Sequence, residues 1–203
     1  MIIKTKYKVS RRLGAGVFEK CQTQKYALSE ARRSANAKRG RKKMSTEYGR
    51  QLIEKQKMRF TYGIREKQLS NYVKKALANR TVDPAETLYI SLETRLDNVV
   101  YRLNLAPTRA MARQLVSHGH ILLNGRKNTV PSTKIRIGDL IGIRKGSQGS
   151  VIFANLEEKS KNLSQVKWLS FDAKKKEGKM IAKPQQPEQD IFDIKTILEF
   201  YGR

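Results

Sequence analysis

The stretch RQLVSHGHILLNGRKNTV, residues 113–130, carries the sequence from a basic helical pattern into a hairpin within a few positions. Asn124-Gly125 separates HILL from RKNTV, and both positions of such a two-residue turn need φ > 0, which Asn and Gly tolerate best. A turn that only reversed the chain would need that pair and little else. Here an arginine, two histidines and further basic residues share the same turn, so the unit is expected to grip something anionic.

Upstream, Pro107-Thr108 restarts the chain, and Thr108 suits a helix N-cap. Met111, Ala112 and Leu115 then point one way while Arg109 and Arg113, four apart, point another, and Gly119 ends the helix. A longer helix is expected to open at DPAE (83–86), with Asp83 at the N-cap, Pro84 at the first position and Glu86 at the reciprocal capping position. Leu88, Leu92, Leu96, Val99 and Leu103 run through it as one stripe, and Asn104 suits a left-handed stop. Downstream, PSTKIRIGDLIGIRK (131–145) alternates Ile135 and Ile137, turns at Gly138-Asp139 and continues with Ile141 and Ile143. The expected product is two short helices packed on a small antiparallel sheet.

Further out, residues 45–78 read as a helical pair. Ser45 is placed as the cap of a helix that stops at Tyr62-Gly63, and Leu69, Tyr72, Val73, Ala76 and Leu77 form the stripe of the next. Residues 146–165 read as a connection, VKWLSFDA (166–173) as strand-like and KPQQPEQD (183–190) as a linker. DIKTILEFYGR closes the chain as an amphipathic helix that must dock on something. Residues 1–44, with RRSANAKRGRKK at 32–43, have few apolar positions and no sustained period, so they are taken as a basic arm that orders along phosphates.

Across 203 residues, 43 Lys/Arg face 18 Asp/Glu, a formal net charge of +25. Residues 1–60 alone hold 18 basic side chains and 4 acids. Such self-repulsion calls for a polyanionic partner, and nucleic acid fits better than a membrane surface. No run of eighteen apolar residues exists and no apolar stretch follows the basic N-terminus, so neither a membrane span nor a signal peptide is expected. Cys21 is the only cysteine, which forbids an internal disulfide and a thiolate zinc site. His118, His120 and Asp139 are too few for zinc, GxGxxG and P-loop patterns are absent, and no nucleophile has a base beside it. No cofactor and no metal are expected, and the residues do not resemble an active site.

Binding has a clearer design. Arg95 and Arg102 on the first helix, and Arg109 and Arg113 on the second, can present guanidinium forks to phosphates. Ser117, His118, His120, Asn124 and Lys127 add polar groups around the turn, a surface suited to the backbone of folded RNA. Asp97 sits badly among phosphate ligands, so it is expected to orient an arginine or cap backbone amides.

The stretch SLETRLDNVVYRLNLAPTRAMARQLVSHGHILLNGRKNTVPSTKIRIGDLIGIR (91–144) resembles the S-four-type RNA-binding domain. RRLG (11–14), STEYGRQLIEKQKMRFTYGIREKQL (45–69), WLSFDA (168–173) and LEFYGR (198–203) extend the resemblance to the bacterial-type small-subunit ribosomal S-four family. The resemblance implies an α+β fold. A helical domain one spans 45–90, completed by 191–203; domain two spans 91–190, with an RNA-binding core at 91–145 and a sheet extension at 146–190. It also implies primary binding of small-subunit ribosomal RNA early in assembly, S-five and S-three as protein neighbours, a place near the messenger entry channel, and a contribution to decoding accuracy. The location would be the ribosome of a cytoplasm or an organelle, with no membrane. In the matched stretches Arg11, Arg12, Arg50, Lys55, Lys57, Asn98 and Gln114 join the RNA-binding set, as do Lys42 and Lys43 of the basic arm, with Gly119 and Gly125 as turn residues. Many relatives carry four N-terminal cysteines for zinc, and this chain resembles a zinc-free form. The alternatives are a modifying enzyme, such as a pseudouridine synthase, or a quality-control factor that carries the same domain.

Overall fold

The computed structural model describes residues 5–36, 46–79, 81–153, 166–172, 175–187 and 191–202. The fold is α+β, and the chain divides into two compact units, Met1–Ala85 with Pro187–Arg203, and Glu86–Gln186.

The first unit is helical. Helix α1 (Lys6–Leu13) ends at Gly14, whose φ of 66° lets its amide bond the Arg11 carbonyl. A 3₁₀ turn over Glu19–Cys21 leads into α2 (Gln24–Asn36). These elements depart from the expected basic arm that orders along phosphates, since part of it packs on protein: Leu13, Val17, Phe18 and Cys21 are buried, and Phe18 lies 6.1 Å from the Phe60 ring. The few apolar residues cluster where two turns interrupt any period, so a pattern search misses them. The remainder of the basic run, with Lys42, Lys43 and Ser45, lies outside the described residues.

Helix α3 (Glu47–Tyr62) is capped by Thr46, whose Oγ1 accepts from the Gly49 amide at 3.1 Å, and ends at Gly63 with φ 61°. Helix α4 (Glu66–Ala78) follows, burying Leu69, Val73 and Ala76. The C-terminal helix α8 (Ile194–Tyr201) packs on α3 and α4. Its Ile194 and Ile197 are fully buried, each contributing about 1.5–3 kcal/mol of apolar burial. Asp193 caps it, accepting from the Lys195 amide. The Tyr201 hydroxyl donates to Glu66 at 2.6 Å, and Lys55 reaches the same carboxylate at 3.0 Å.

The second unit joins helices to a sheet. Helix α5 (Pro84–Glu93) starts at Asp83, whose carboxylate accepts from the Ala85 amide. The apolar stripe that continues beyond it belongs to two helices, because α6 (Leu96–Arg102) begins afresh after a break at Thr94-Arg95. The break is made by segment 131–135: the Leu96 and Asp97 amides donate to the Thr133 and Pro131 carbonyls, and the Ile135 amide donates to Thr94. Those bonds replace the helical ones that are lost, as buried backbone requires. Helix α6 closes at Asn104, with φ 55°. Helix α7 (Arg109–Ser117) is capped by Thr108, which accepts from the Met111 amide.

Strands β1 (Ile121–Leu123) and β2 (Arg126–Lys127) form the hairpin, and Asn124 and Gly125 have φ of 50° and 78°. With β3 (Leu140–Ile143), β4 (Leu169–Asp172) and β5 (Glu177–Met180) they make an antiparallel sheet ordered β2-β1-β3-β5-β4. Ile141 pairs with Gly178, and a Cβ at Gly178 would stand 2.5 Å from Leu103 Cδ1, so α6 lies directly on β5 there. Ile135, Ile141 and Ile143 enter the core with Trp168, whereas Ile137 is more than half exposed. Ile137 precedes the Gly138 turn and belongs to no strand, so strand alternation does not govern it.

Candidate nucleic-acid interface

Two carboxylates, Glu93 at the end of α5 and Asp97 in the first turn of α6, are buried to within 2% of full enclosure. Buried charge is tolerated only when it is paired and hydrogen-bonded, and here the partners are arginines. Asp97 accepts Arg95 Nε on Oδ1 (3.0 Å) and Arg95 Nη2 on Oδ2 (2.9 Å). It also accepts Arg113 through Nε (2.8 Å) and Nη2 (2.7 Å), and the Asn98 amide at 2.9 Å. Glu93 accepts Arg102 through Nε (2.9 Å) and Nη2 (2.8 Å) as a bidentate pair.

Asn98 connects the two halves. Its Nδ2 donates to Glu93 Oε2 and to the Glu93 carbonyl, both at 3.0 Å, while its Oδ1 accepts from Arg109 Nε at 2.8 Å. The Arg109 guanidinium also lies 4.4 Å from the Tyr101 ring centroid, a cation–π contact. Three guanidiniums therefore share two carboxylates and a fourth rests on Asn98, a positive surplus on the face built by α6 and α7. Three of them reach the surface: the side chains of Arg102 and Arg113 are 33% and 27% exposed, and Arg109 is half-buried.

Several expected contacts lie elsewhere than the sequence placed them. Arg95 is 4% exposed and enclosed with Asp97, because the break before α6 turns it inward, so it presents no fork to solvent. Asn98 is 2% exposed. Asn124 is at the surface, but its Nδ2 donates to Asp139 at 2.8 Å and its Oδ1 accepts from the Leu140 amide at 2.8 Å, which ties the turn to β3. Lys55 is 8% exposed, with its ammonium 4.2 Å from the Phe200 ring. Lys57 pairs with Glu54 at 2.7 Å and Arg11 with Glu30 at 2.8 Å.

The remaining expected residues stay accessible. Gln114, Ser117, His118 and Lys127 are exposed, Ser117 donating to the Gln114 carbonyl within its own helix. The His118 and His120 rings stack at 6.2 Å, and His120 Nδ1 sits 2.9 Å from Ser147 Oγ. Gly119, with φ 74°, passes against the Lys127 side chain so closely that a Cβ would collide with it. Arg12 and Arg50 are exposed on the helical unit. Asp97 has the arginine-orienting and amide-capping contacts expected of it. Glu93 was not singled out in the sequence, since its partners stand five and nine positions away across a helix break.

Residues 94–141 match the model of the S4 domain, and residues 2–93 that of the Ribosomal protein S4/S9 N-terminal domain. Fold and site together thus define a ribosomal protein carrying an S4 domain. Curated relatives named Small ribosomal subunit protein uS4 include that of Syntrophomonas wolfei, 40% identical over 95% of this chain and 94% of the relative. That of a Roseiflexus species is 42% identical over 97% and 96%, and that of Herpetosiphon aurantiacus 45% identical over 80% and 78%. The chain belongs to the small ribosomal subunit protein uS4 family, whose members are structural ribosomal proteins and not enzymes.

Proposed function

We propose that this protein is a primary binder of small-subunit ribosomal RNA, and that Arg102, Arg109 and Arg113 supply its central phosphate contacts. The observation that carries this reading is the array of three guanidiniums seated on buried Glu93, Asp97 and Asn98. A fork held in place loses little freedom on meeting a phosphate, and folded RNA presents phosphates at fixed spacing. Gln114, Ser117, His118, His120 and Lys127 extend the contact around the hairpin, and Arg11, Arg12, Arg50 and Lys57 extend it on the helical unit. Arg95, Asn98 and Lys55 hold these surfaces from beneath, and Asn124 fixes the exposed hairpin turn to β3.

Family membership supports the finer terms: early action in small-subunit assembly, a place near the messenger entry channel beside S-five and S-three, a contribution to decoding accuracy, and a cytoplasmic ribosome. The first test is binding to small-subunit ribosomal RNA across a salt series. With on the order of six to ten phosphate contacts, affinity should fall by about 10³–10⁵-fold between about 50 and 200 mM salt. A nearly flat response would refute the phosphate reading. Omission of the protein from a reconstitution of small subunits should stall an early intermediate, and normal assembly without it would refute the assembly role.

A further inference from the structure

We infer that Glu93 is a positioning residue for RNA binding: a buried acid that strengthens the grip on a polyanion by holding two arginines in place. This rests on the reading of the α6–α7 face as the RNA-binding surface. Glu93 is 0% exposed and engages one arginine directly and a second through an amide. Arg102 is held by two bonds of 2.8–2.9 Å that use one edge of its guanidinium, Nε and one Nη. Arg109 is held through Asn98, whose Nδ2 donates to Glu93 and whose Oδ1 receives Arg109 Nε.

Two effects of this carboxylate oppose each other, and their balance decides its role. By Coulomb's law alone a negative charge beneath a phosphate-binding face repels the ligand, so removing it should tighten binding. By geometry, a long arginine that is one-third exposed and released from its anchor recovers rotamer freedom, which must be lost again when it meets phosphate. The carboxylate is fully enclosed while the ligand approaches from outside, and its charge is neutralised by a bidentate partner in between. We therefore assign the larger weight to geometry. Asp97 serves Arg113 in the same way, but its second duty toward buried Arg95 makes it a poor probe. Glu93→Gln is the cleaner substitution, since the new side chain keeps an oxygen for Asn98 Nδ2.

The experiment is a double-mutant cycle on the full-length protein, with small-subunit ribosomal RNA as ligand at fixed salt. Arg102→Ala should weaken binding by about 10-fold or more, the scale of one charge-assisted bond. Glu93→Gln should weaken it by about 3- to 10-fold despite raising the net charge. In the Arg102→Ala background the same change should lose at least half of its effect. Thermal melts establish that each variant is folded. Should Glu93→Gln not fold, exchange of the arginine Nε protons in the unbound wild type decides instead. Slowed exchange at Arg102 and Arg109, relative to an exposed arginine such as Arg12, supports the anchoring, and equal rates overturn it. Glu93→Gln that binds as well as wild type or tighter overturns the inference while leaving the RNA-binding face intact, provided Arg102→Ala weakens binding. Full additivity of the two substitutions overturns it as well, because the acid would then act independently of the arginine. If Arg102→Ala binds like wild type, the assignment of the face falls and the inference with it.

Discussion

Replacing Asp97 by alanine isolates the cost of a buried guanidinium deprived of its counter-ion. The carboxylate receives two bonds from Arg95, two from Arg113 and one from the Asn98 amide. Arg113 has a quarter of its side chain in water and can turn outward, whereas Arg95, 4% exposed, cannot. The loss is therefore dominated by one stranded buried charge, about 3–5 kcal/mol, with the orphaned amide adding to it. Against a total stability of about 5–15 kcal/mol, that is about a fifth or more. Trp168 is the only tryptophan and belongs to the same core as α6, so its fluorescence in a urea titration reports this unit directly. With a slope of about 2 kcal/mol per molar, the midpoint should drop by about 2 M. Arg113→Ala, which leaves Asp97 with Arg95 and the amide, should cost no more than about 1 kcal/mol. Adding Arg95→Met to Asp97→Ala removes the stranded charge and should restore at least half of the loss. An Asp97→Ala midpoint within about 0.5 M of wild type, or a double variant less stable than Asp97→Ala alone, would refute the reasoning.

Gly125→Val should destabilise the same transition by about 1–2 kcal/mol through backbone strain alone, since φ is 78° and no atom stands within 4 Å of a Cβ built there; an unchanged midpoint would contradict it. Gly178→Ala fails for the opposite reason, a collision with buried Leu103, and should cost about 1–3 kcal/mol by urea titration, an effect that Leu103→Ala in the same chain should reduce. At Glu66, burial raises the carboxyl pKa, but hydrogen bonds from Tyr201 and Lys55, with the charges of Lys55 and Arg59, outweigh it and hold the group below its ordinary value of 4.5. A depressed folded-state pKa stabilises above the unfolded value, and that contribution disappears as pH falls through the folded one. Acid melts should therefore show α8 docking weakening below about pH 4.5, and Tyr201→Phe should both lower stability near neutrality by about 1 kcal/mol and flatten that acid dependence.

What the sequence determined by itself is local. Thr108 as a cap, Asn104 and Gly119 as left-handed stops, and Asn124-Gly125 as the hairpin turn each follow from one side chain bonding its own backbone or from one residue tolerating φ > 0. The helical stripe from Leu88 to Leu103 is also local, and every named member of it is buried. The basic surface follows from composition, because charge in excess must face water or a polyanion.

Tertiary structure decided whatever depends on a distant partner. The helix break at Thr94-Arg95 is made by backbone groups of 131–135, nearly forty residues on, while the apolar period runs through it undisturbed. That break turns Arg95 inward, gives Asp97 two arginines to hold and brings Glu93 beneath Arg102. The same limit explains residues 5–21, where four buried apolar side chains draw α1 and the 3₁₀ turn after it into the first unit without leaving a period to detect. Periodicity reports which face of a segment is apolar; which charged side chains are enclosed with a counter-ion and which are left to meet a ligand is settled only when the segments pack.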